Sequence, residues 1–445
     1  MSLRDSIASV ASSSVPQPDK LTALQSLLTP LNSPSDLQTY VTSVLAHAPS
    51  LGLVVSRPVI ALYISHIVDI ECSQADKEVL LRHALTVLQP TLVSYEEQES
   101  VVREHLASLY ESQGRSIQAA TILRGIKLES GQRVISDDYR VDISVRVLRN
   151  LLEDVDTDAI QNDEDDAVPA AERILLAEDL INKTAALILK SSNPIAKLHF
   201  KLAQARVFDA RKRFLEACAK YYELSHHGSE GEAGIDADDR LACLSAAVSC
   251  ALLAPAGPAR GRMLASLAKD ERVKDPEGGL PLEHTMLDKL FFDNLLPAED
   301  VKAYILGSRR KIPKSHLISR GAELGEGDYE QDSVLDRAVT EHNLLAASKL
   351  YVNISFSELA ELLGLGSGDA AEGYAAKMIQ ERRLRAVIDR VDGIIYFQGG
   401  GRGGLDEAER ENLKAWDAEI LGVCLQVEDV VSLIQKQYPE FVVGV

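Results

Sequence analysis

Sixty-five residues, from Ser333 to Phe397, decide how this chain folds, and they read SVLDRAVTEHNLLAASKLYVNISFSELAELLGLGSGDAAEGYAAKMIQERRLRAVIDRVDGIIYF. The beginning of the stretch predicts a helix with one buried face, because its apolar residues recur at intervals of three and four. The positions on this face are Leu335, Ala338, Val339, His342, Leu345 and Ala346. On such a face we expect His342 to be a hydrogen-bonded core histidine. A short strand at Val352-Asn353-Ile354 follows.

Two further helices start at sequences with capping-box spacing. Ser355 and Glu358 can each satisfy a free backbone N–H at the start of a helix, which Gly364 then ends. Asp369 and Glu372 repeat this spacing and predict the start of a third helix.

A hairpin closes the stretch. Leu384, Ala386 and Ile388 alternate with outward-facing positions, Asp392-Gly393 supplies a tight turn, and Ile394 to Phe397 forms the returning strand. With the earlier strand, the hairpin predicts a three-stranded sheet. This order of helices and strands is that of a winged helix.

The rest of the chain has the pattern of helices, with two stretches that look alike. In the first, the marker residues are Leu106, Tyr110, Gly114, Ile117 and Ala120; in the second, they are Ala203, Val207, Arg211, Phe214 and Ala217. Each predicts a helix, a short turn and a second helix, as in tetratricopeptide-like repeats. We therefore predict a mainly α fold, in which a right-handed helical-repeat solenoid precedes the winged helix.

Loops rich in Gly, Pro and charge suggest where the units begin and end. The predicted units are a flexible N-terminus (1–20), a helical-repeat arm (21–204), a second helical part (205–332), the winged helix (333–397), a Gly-rich linker (398–405) and a terminal helix (406–445).

The terminal helix carries a heptad pattern. Apolar residues occur at both core positions of three successive heptads and form one stripe along the helix, which we call the seam. This pattern predicts a helix that packs along the seam against other helices. The seam residues are Leu413, Trp416, Ile420, Val423, Val427, Val430 and Ile434. Periodicity alone does not name the partner, and docking on the chain's own solenoid remains an alternative.

Composition limits the classes of partner. The net charge of −20 would repel nucleic-acid phosphate and an anionic membrane surface, so it favours protein partners. The five cysteines include no CxxC pair, which argues against a zinc ribbon or a disulfide framework and suggests a reducing compartment. No run of apolar residues suits a signal peptide or a membrane span. We expect a soluble intracellular protein that binds neither nucleic acid nor membrane.

Catalytic and cofactor signatures are missing from the sequence, which has neither G-x-S-x-G nor HExxH. The run Gly399–Gly404 lacks the Lys-Ser/Thr ending of a phosphate-binding loop, so we interpret it as a connector. His226-His227 lies on a Gly-containing loop without the spacing that would fix a metal. We predict no catalytic, cofactor-binding or metal-binding residue and no enzymatic activity.

Winged helices often bind DNA, but charge disfavours that function here. The helix that would enter the major groove contains Asp369, Glu372 and Glu381, and the tip of the hairpin adds Asp389 and Asp392. Carboxylates that face phosphate are unfavourable. A winged-helix nucleic-acid binder stays as an alternative of a different class.

Helical repeats running into a winged helix resemble the PCI family, whose members are scaffold subunits of the proteasome lid, the COP9 signalosome and a translation initiation factor. The resemblance favours the signalosome members and is carried by His105–Gln132, Ala205–Ser225, Arg260–Arg272, Val334–Leu363 and Met378–Phe397. It implies a non-catalytic scaffold subunit, with no cofactor, in a complex that removes a ubiquitin-like modifier from cullin-RING ubiquitin ligases. A PCI subunit of the proteasome lid is the nearest alternative.

The resemblance also implies partners and surfaces. Other signalosome subunits, with PCI and protease folds, and the cullin-RING ligase would be partners, in nucleus and cytoplasm. Winged-helix sheets in this family pair edge to edge and terminal helices share a bundle. The implied strand interface is Leu384, Ala386, Ile388, Ile394, Ile395, Tyr396 and Phe397, and the implied helix interface is the seam of the terminal helix.

Overall fold

The computed structural model describes residues 3–13, 15–70, 72–129, 133–153, 169–227, 235–274, 280–309, 333–398 and 407–437. These residues are mainly helical and include one small sheet, as predicted. The predicted right-handedness of the solenoid stays a prediction. The acidic run at 154–166, the joint at 321–332 and the Gly-rich run at 399–404 lie outside the described residues.

The first part of the chain is an array of helices around one hydrophobic core, which extends from Ile7 to Val207. Its helices are α1 Leu3–Ser12, α2 Gln17–Leu28, α3 Pro34–Ala46, α4 Ala48–Leu51, α5 Leu53–Asp69, α6 Gln74–Leu88, α7 Glu96–Ser112, α8 Ser116–Arg124, α9 Asp137–Glu153, α10 Ala170–Ile188 and α11 Pro194–Ala210, with a 3-10 helix at Gln89–Ser94. Proline stands in the first turn of α3 and α11, where its missing N–H costs no hydrogen bond.

The segment 1–20, predicted to be a flexible N-terminus, contains α1 and the start of α2 in its described part. Ile7 and Ala11 of α1 are buried in the first core, and α1 packs on α3. The Ser-rich composition concealed an amphipathic helix, because serine on the outer face does not prevent burial of the inner face.

The two predicted repeats are confirmed as helical hairpins, α7–α8 and α11–α12 (Phe214–Ser225), but their alignment was displaced by one residue. Gly114 and Lys212 hold the same place in the two turns, and both have a positive φ. The next residue in each turn donates its N–H to a carbonyl of the preceding helix, Arg115 to Tyr110 and Arg213 to Phe208. Lysine rarely adopts this conformation, so the sequence did not mark the second turn.

The helices that follow form a second core, which includes residues from Ala205 to Leu335. They are α12, α13 Ala237–Leu253, α14 Pro258–Lys269, α15 Glu271–Lys274, α16 Pro281–Phe291 and α17 Ala298–Gly307. The first and second cores meet within α11.

The winged helix is confirmed and has its own core. It comprises α18 Val334–Leu350, β1 Asn353–Ser355, α19 Phe356–Leu363, α20 Gly368–Gln380, β2 Ala386–Asp389 and β3 Ile394–Phe397. The sheet order is β1-β3-β2, and both pairings are antiparallel. Its hydrophobic core contains residues of all three strands and of α18, α19 and α20.

The caps agree with the sequence in part. The Ser355 side chain accepts a hydrogen bond from the Glu358 N–H, and Gly364 ends α19 in the left-handed conformation, as predicted. The predicted start of α20 at Asp369 is wrong, since Ser367 is the cap and accepts from the Ala370 N–H. The last helix among the described residues is α21 Glu407–Gln437.

Candidate interaction surfaces

The apolar seam of α21 faces solvent. Trp416 is 68% exposed, and even Ile434, the least exposed described seam residue, is 43% exposed. The side chain of Leu413 lies outside the described residues. The described seam is therefore not docked on the chain's own solenoid, and its exposure favours a partner over the intramolecular alternative.

The sheet has two open edges, because β3 is the middle strand. Antiparallel strands bond through every second residue of a strand. The Phe397 N–H donates to Val352 at 2.8 Å, so this alternation leaves the N–H and C=O groups of Asn353 and the N–H of Ser355 on the outer side of β1. The Gln398 N–H donates to Arg385 at 2.9 Å, which in the same way leaves Ala386 and Ile388 with outward groups on β2.

The structure divides the predicted strand interface into three groups. Leu384, Ile395 and Phe397 are buried in the winged-helix core. Ala386, Ile388 and Ile394 are half-buried, and Tyr396 is exposed. Because β3 is paired on both sides, its backbone cannot accept another strand, so an edge contact would fall to β1 or β2.

Val387 is an exposed residue that sequence reasoning did not select. It lies opposite Tyr396 on the solvent face of the sheet and is 51% exposed. Alternation along β2 could have identified it, since its neighbours Ala386 and Ile388 face the core.

The basic residues beside α20 are partly engaged within the chain. Arg383 forms ion pairs with Glu341 and Glu381, and Arg390 lies 3.5 Å from Glu372. The Arg383 side chain is only 14% exposed, so it is not presented to an outside phosphate.

Carboxylates of the arm pair across neighbouring helices. Glu78 bonds Arg115 at 3.1 Å, Glu111 bonds Arg146 at 2.8 Å, and Glu178 bonds Arg211 at 2.6 Å. Burial would raise the pKa of Glu111, but hydrogen bonds from Arg146 and Asn150 outweigh it and lower the pKa. These ion pairs connect different parts of the helical array.

The histidines considered in the sequence analysis make contacts within the chain. His342 is buried and its Nε2 lies 2.9 Å from the Asn294 carbonyl, which confirms the core role. The His226 ring packs edge-on against Tyr222, and its Nδ1 lies 2.9 Å from the Tyr222 carbonyl. Over the described ranges, no three His, Cys, Asp or Glu side chains cluster as metal ligands would, and no helix has the length and apolarity to cross a membrane.

A helical array that ends in a winged helix defines the PCI-domain class of proteins, and the family model described as PCI domain matches residues 325–398. The model described as PSMD12/CSN4, N-terminal, matches residues 11–230, and subunit 4 of the COP9 signalosome complex from Emericella nidulans is 37% identical, covering 97% of both chains. The chain belongs to the family of COP9 signalosome complex subunit 4.

Two further relatives of the same name extend the comparison. The Arabidopsis thaliana protein is 34% identical and covers 95% of both chains. The Dictyostelium discoideum protein is 36% identical and covers 80% of this chain and 78% of its own length. These names favour the signalosome over the proteasome lid, the nearest alternative from the sequence.

Proposed function

We propose that this chain is a non-catalytic scaffold subunit of the COP9 signalosome. The observation that carries the proposal is the solvent-exposed seam of α21, which extends from Trp416 to Ile434 in a chain of this family. Burial of a large aliphatic side chain contributes about 1.5–3 kcal/mol. Several such residues on one helix supply enough free energy to hold a subunit in a helical bundle.

The sheet edges would supply the second set of contacts. Unpaired N–H and C=O groups on the outer sides of β1 and β2 favour addition of a strand from a neighbouring subunit. Two open edges allow two neighbours, one on each side of the same winged helix.

The finer function is also part of the proposal. The complex that holds this chain would recognise cullin-RING ubiquitin ligases and remove their ubiquitin-like modifier, with the isopeptidase site on another subunit. The arm would contact the substrate, and the net charge of −20 suits a basic partner surface. We place this activity in nucleus and cytoplasm.

The test is affinity purification of the full-length protein from its own cells, with mass spectrometry of the eluate and a cullin deneddylation assay. Ile420→Glu with Val427→Glu puts two charges in the seam. Gln426→Glu with Ser432→Glu is the matched control, because both positions are exposed on the same helix outside the seam.

We expect the wild type and the control to recover the other signalosome subunits with deneddylase activity, and the seam variant to lose both. Recovery of proteasome subunits would contradict the proposal. Nucleic-acid partners whose binding weakens steeply with salt would favour the winged-helix alternative. Full assembly of the seam variant would exclude α21 as the anchor.

A further inference from the structure

Four consecutive polar residues of α18 are buried between two hydrophobic cores. Thr340, Glu341, His342 and Asn343 are each at most 6% exposed. Before them on α18, Leu335 packs in the second core, and after them Leu344 and Ala347 pack in the winged-helix core. We call these four residues the polar belt.

Two belt residues attach α18 to the helical part of the chain. The Asn343 side chain accepts from the Leu296 N–H at 2.8 Å and donates to the Leu296 carbonyl at 3.0 Å. His342 bonds the Asn294 carbonyl, two residues earlier in the same loop. This loop connects α16 to α17, so both contacts reach the second core.

A third belt residue attaches α18 to the rest of the winged helix. Glu341 accepts two hydrogen bonds from the guanidinium of Arg383, one of them at 3.0 Å from Nη2. Arg383 lies between α20 and β2, and its backbone N–H bonds Met378 of α20 at 2.9 Å. Burial alone would raise the pKa of Glu341, but hydrogen bonds from Arg383 and Arg337 outweigh it and lower the pKa.

These hydrogen bonds fix the rotation of α18 about its own axis, which apolar packing alone does not. Consecutive residues of a helix project about 100° apart, so the belt holds α18 from several sides. Rotation of α18, or a shift by one turn, would strip buried partners from Glu341 and Asn343, whereas hydrophobic contact is non-directional.

We propose that the polar belt fixes one orientation of the winged-helix sheet relative to the helical part, with Glu341 and Arg383 as the positioning residues. The direction in which the two sheet edges point relative to the repeats is then set within this chain before any partner binds. The proposal concerns the chain alone and does not depend on the proposed function.

The test uses the full-length chain with spin labels at Lys302→Cys on α17 and Val391→Cys in the hairpin turn, both exposed positions. The accessible cysteines Cys72, Cys243 and Cys424 are replaced by serine. Double electron–electron resonance then measures the width of the distance distribution between the two labels.

The main variant is Glu341→Leu with Arg383→Met, which removes both charges of the pair together, a change that proteins often tolerate. Arg337→Met is the matched control, since Arg337 also bonds Glu341 but lies on the same helix. Arg383→Lys keeps the charge and loses the two-pronged geometry.

We expect the double variant to at least double the width of the distribution, Arg383→Lys to broaden it partly, and Arg337→Met to leave it unchanged. If the double variant folds and its distance distribution is as narrow as that of the parent, the proposal is wrong. The polar belt would then contribute to stability only. If the double variant does not fold, Arg383→Lys provides the test. An unchanged width of its distance distribution would also contradict the proposal.

Discussion

Gly125 offers a sharp test of how the arm is packed. It follows the last residue of α8 and has φ −70° and ψ −12°, so its backbone suits any residue. Space is the obstacle, because a Cβ at this position would lie 2.0 Å from Nη1 and 2.6 Å from Cζ of Arg103. We expect Gly125→Ala to displace this guanidinium and destabilise α7 and α8.

The magnitude follows from what Arg103 holds. Its Nε and Nη2 bond Glu99 at 2.8 and 2.7 Å, and its Nη1 bonds the Ile122 carbonyl at 3.2 Å. The Glu99 side chain is only 4% exposed, and removing the partner of a buried charge costs about 3–5 kcal/mol. Alanine recovers up to about 1 kcal/mol over glycine at a helical position. The net loss of stability should reach about 2–4 kcal/mol if the guanidinium leaves Glu99 completely, and it should be smaller if the flexible Arg103 side chain moves aside and keeps one of its bonds.

Hydrogen exchange with mass spectrometry measures this loss of stability locally, in peptides of α7 and α8. A local measurement is needed because a chain with several cores need not unfold in one step. Gly261→Ala in α14 is the matched control, because nothing lies within 4 Å of its added Cβ, and it should stabilise by about 0.5–1 kcal/mol. In a Glu99→Gln background no carboxylate is left unpaired, so the cost of Gly125→Ala should fall by at least about 1 kcal/mol. Stabilisation by Gly125→Ala, or equal costs in both backgrounds, would refute the reasoning.

Three further predictions follow from the winged helix and the repeats. Ala386→Pro should leave the sheet folded, because the Ala386 N–H points outward, but it should weaken at least tenfold the co-purification of the neighbouring subunit proposed at the β2 edge. Val387→Pro should disrupt the sheet itself, and circular dichroism distinguishes the two variants. Burial, with Arg260 nearby, lowers the pKa of His342 to about 4 from 6.5, so stability present above pH 6.5 is lost as the pH falls towards 4. On acidification the His342→Gln variant should lose about 3 kcal/mol less folding stability than the wild type. If the substitution leaves the dependence of stability on pH unchanged, the lowered pKa of His342 is contradicted. Lys212→Gly should stabilise the α11–α12 hairpin by about 1 kcal/mol in hydrogen exchange, because glycine adopts the positive φ without strain, and a loss of protection would contradict it.

Local signals in the sequence were sufficient for most of the winged helix. The cap at Ser355, the glycine at Gly364 and the Asp392-Gly393 turn act within a few residues, so they are readable without knowledge of tertiary structure. The cap of α20 was missed because Ser367 stands among glycines, where a turn was the simpler interpretation.

Long-range features could not be predicted. Burial of α1 depends on α3, and the pairing of Glu341 with Arg383 joins residues far apart in sequence. Heptad spacing predicted the seam of α21, but only the structure shows that it faces solvent. Strand order likewise decides which predicted interface residues are open, because β3 lies in the middle of the sheet.

The central place of β3 also governs the winged helix during synthesis. Both ladders of the sheet run through β3, although it is the last of the three strands to leave the ribosome. Until β3 has emerged, β1 and β2 lack the strand with which both of them pair in the folded chain. A nascent chain that stops before Ile394 would lack the whole sheet and not merely one of its strands. The winged helix can therefore be completed only after translation has passed this point.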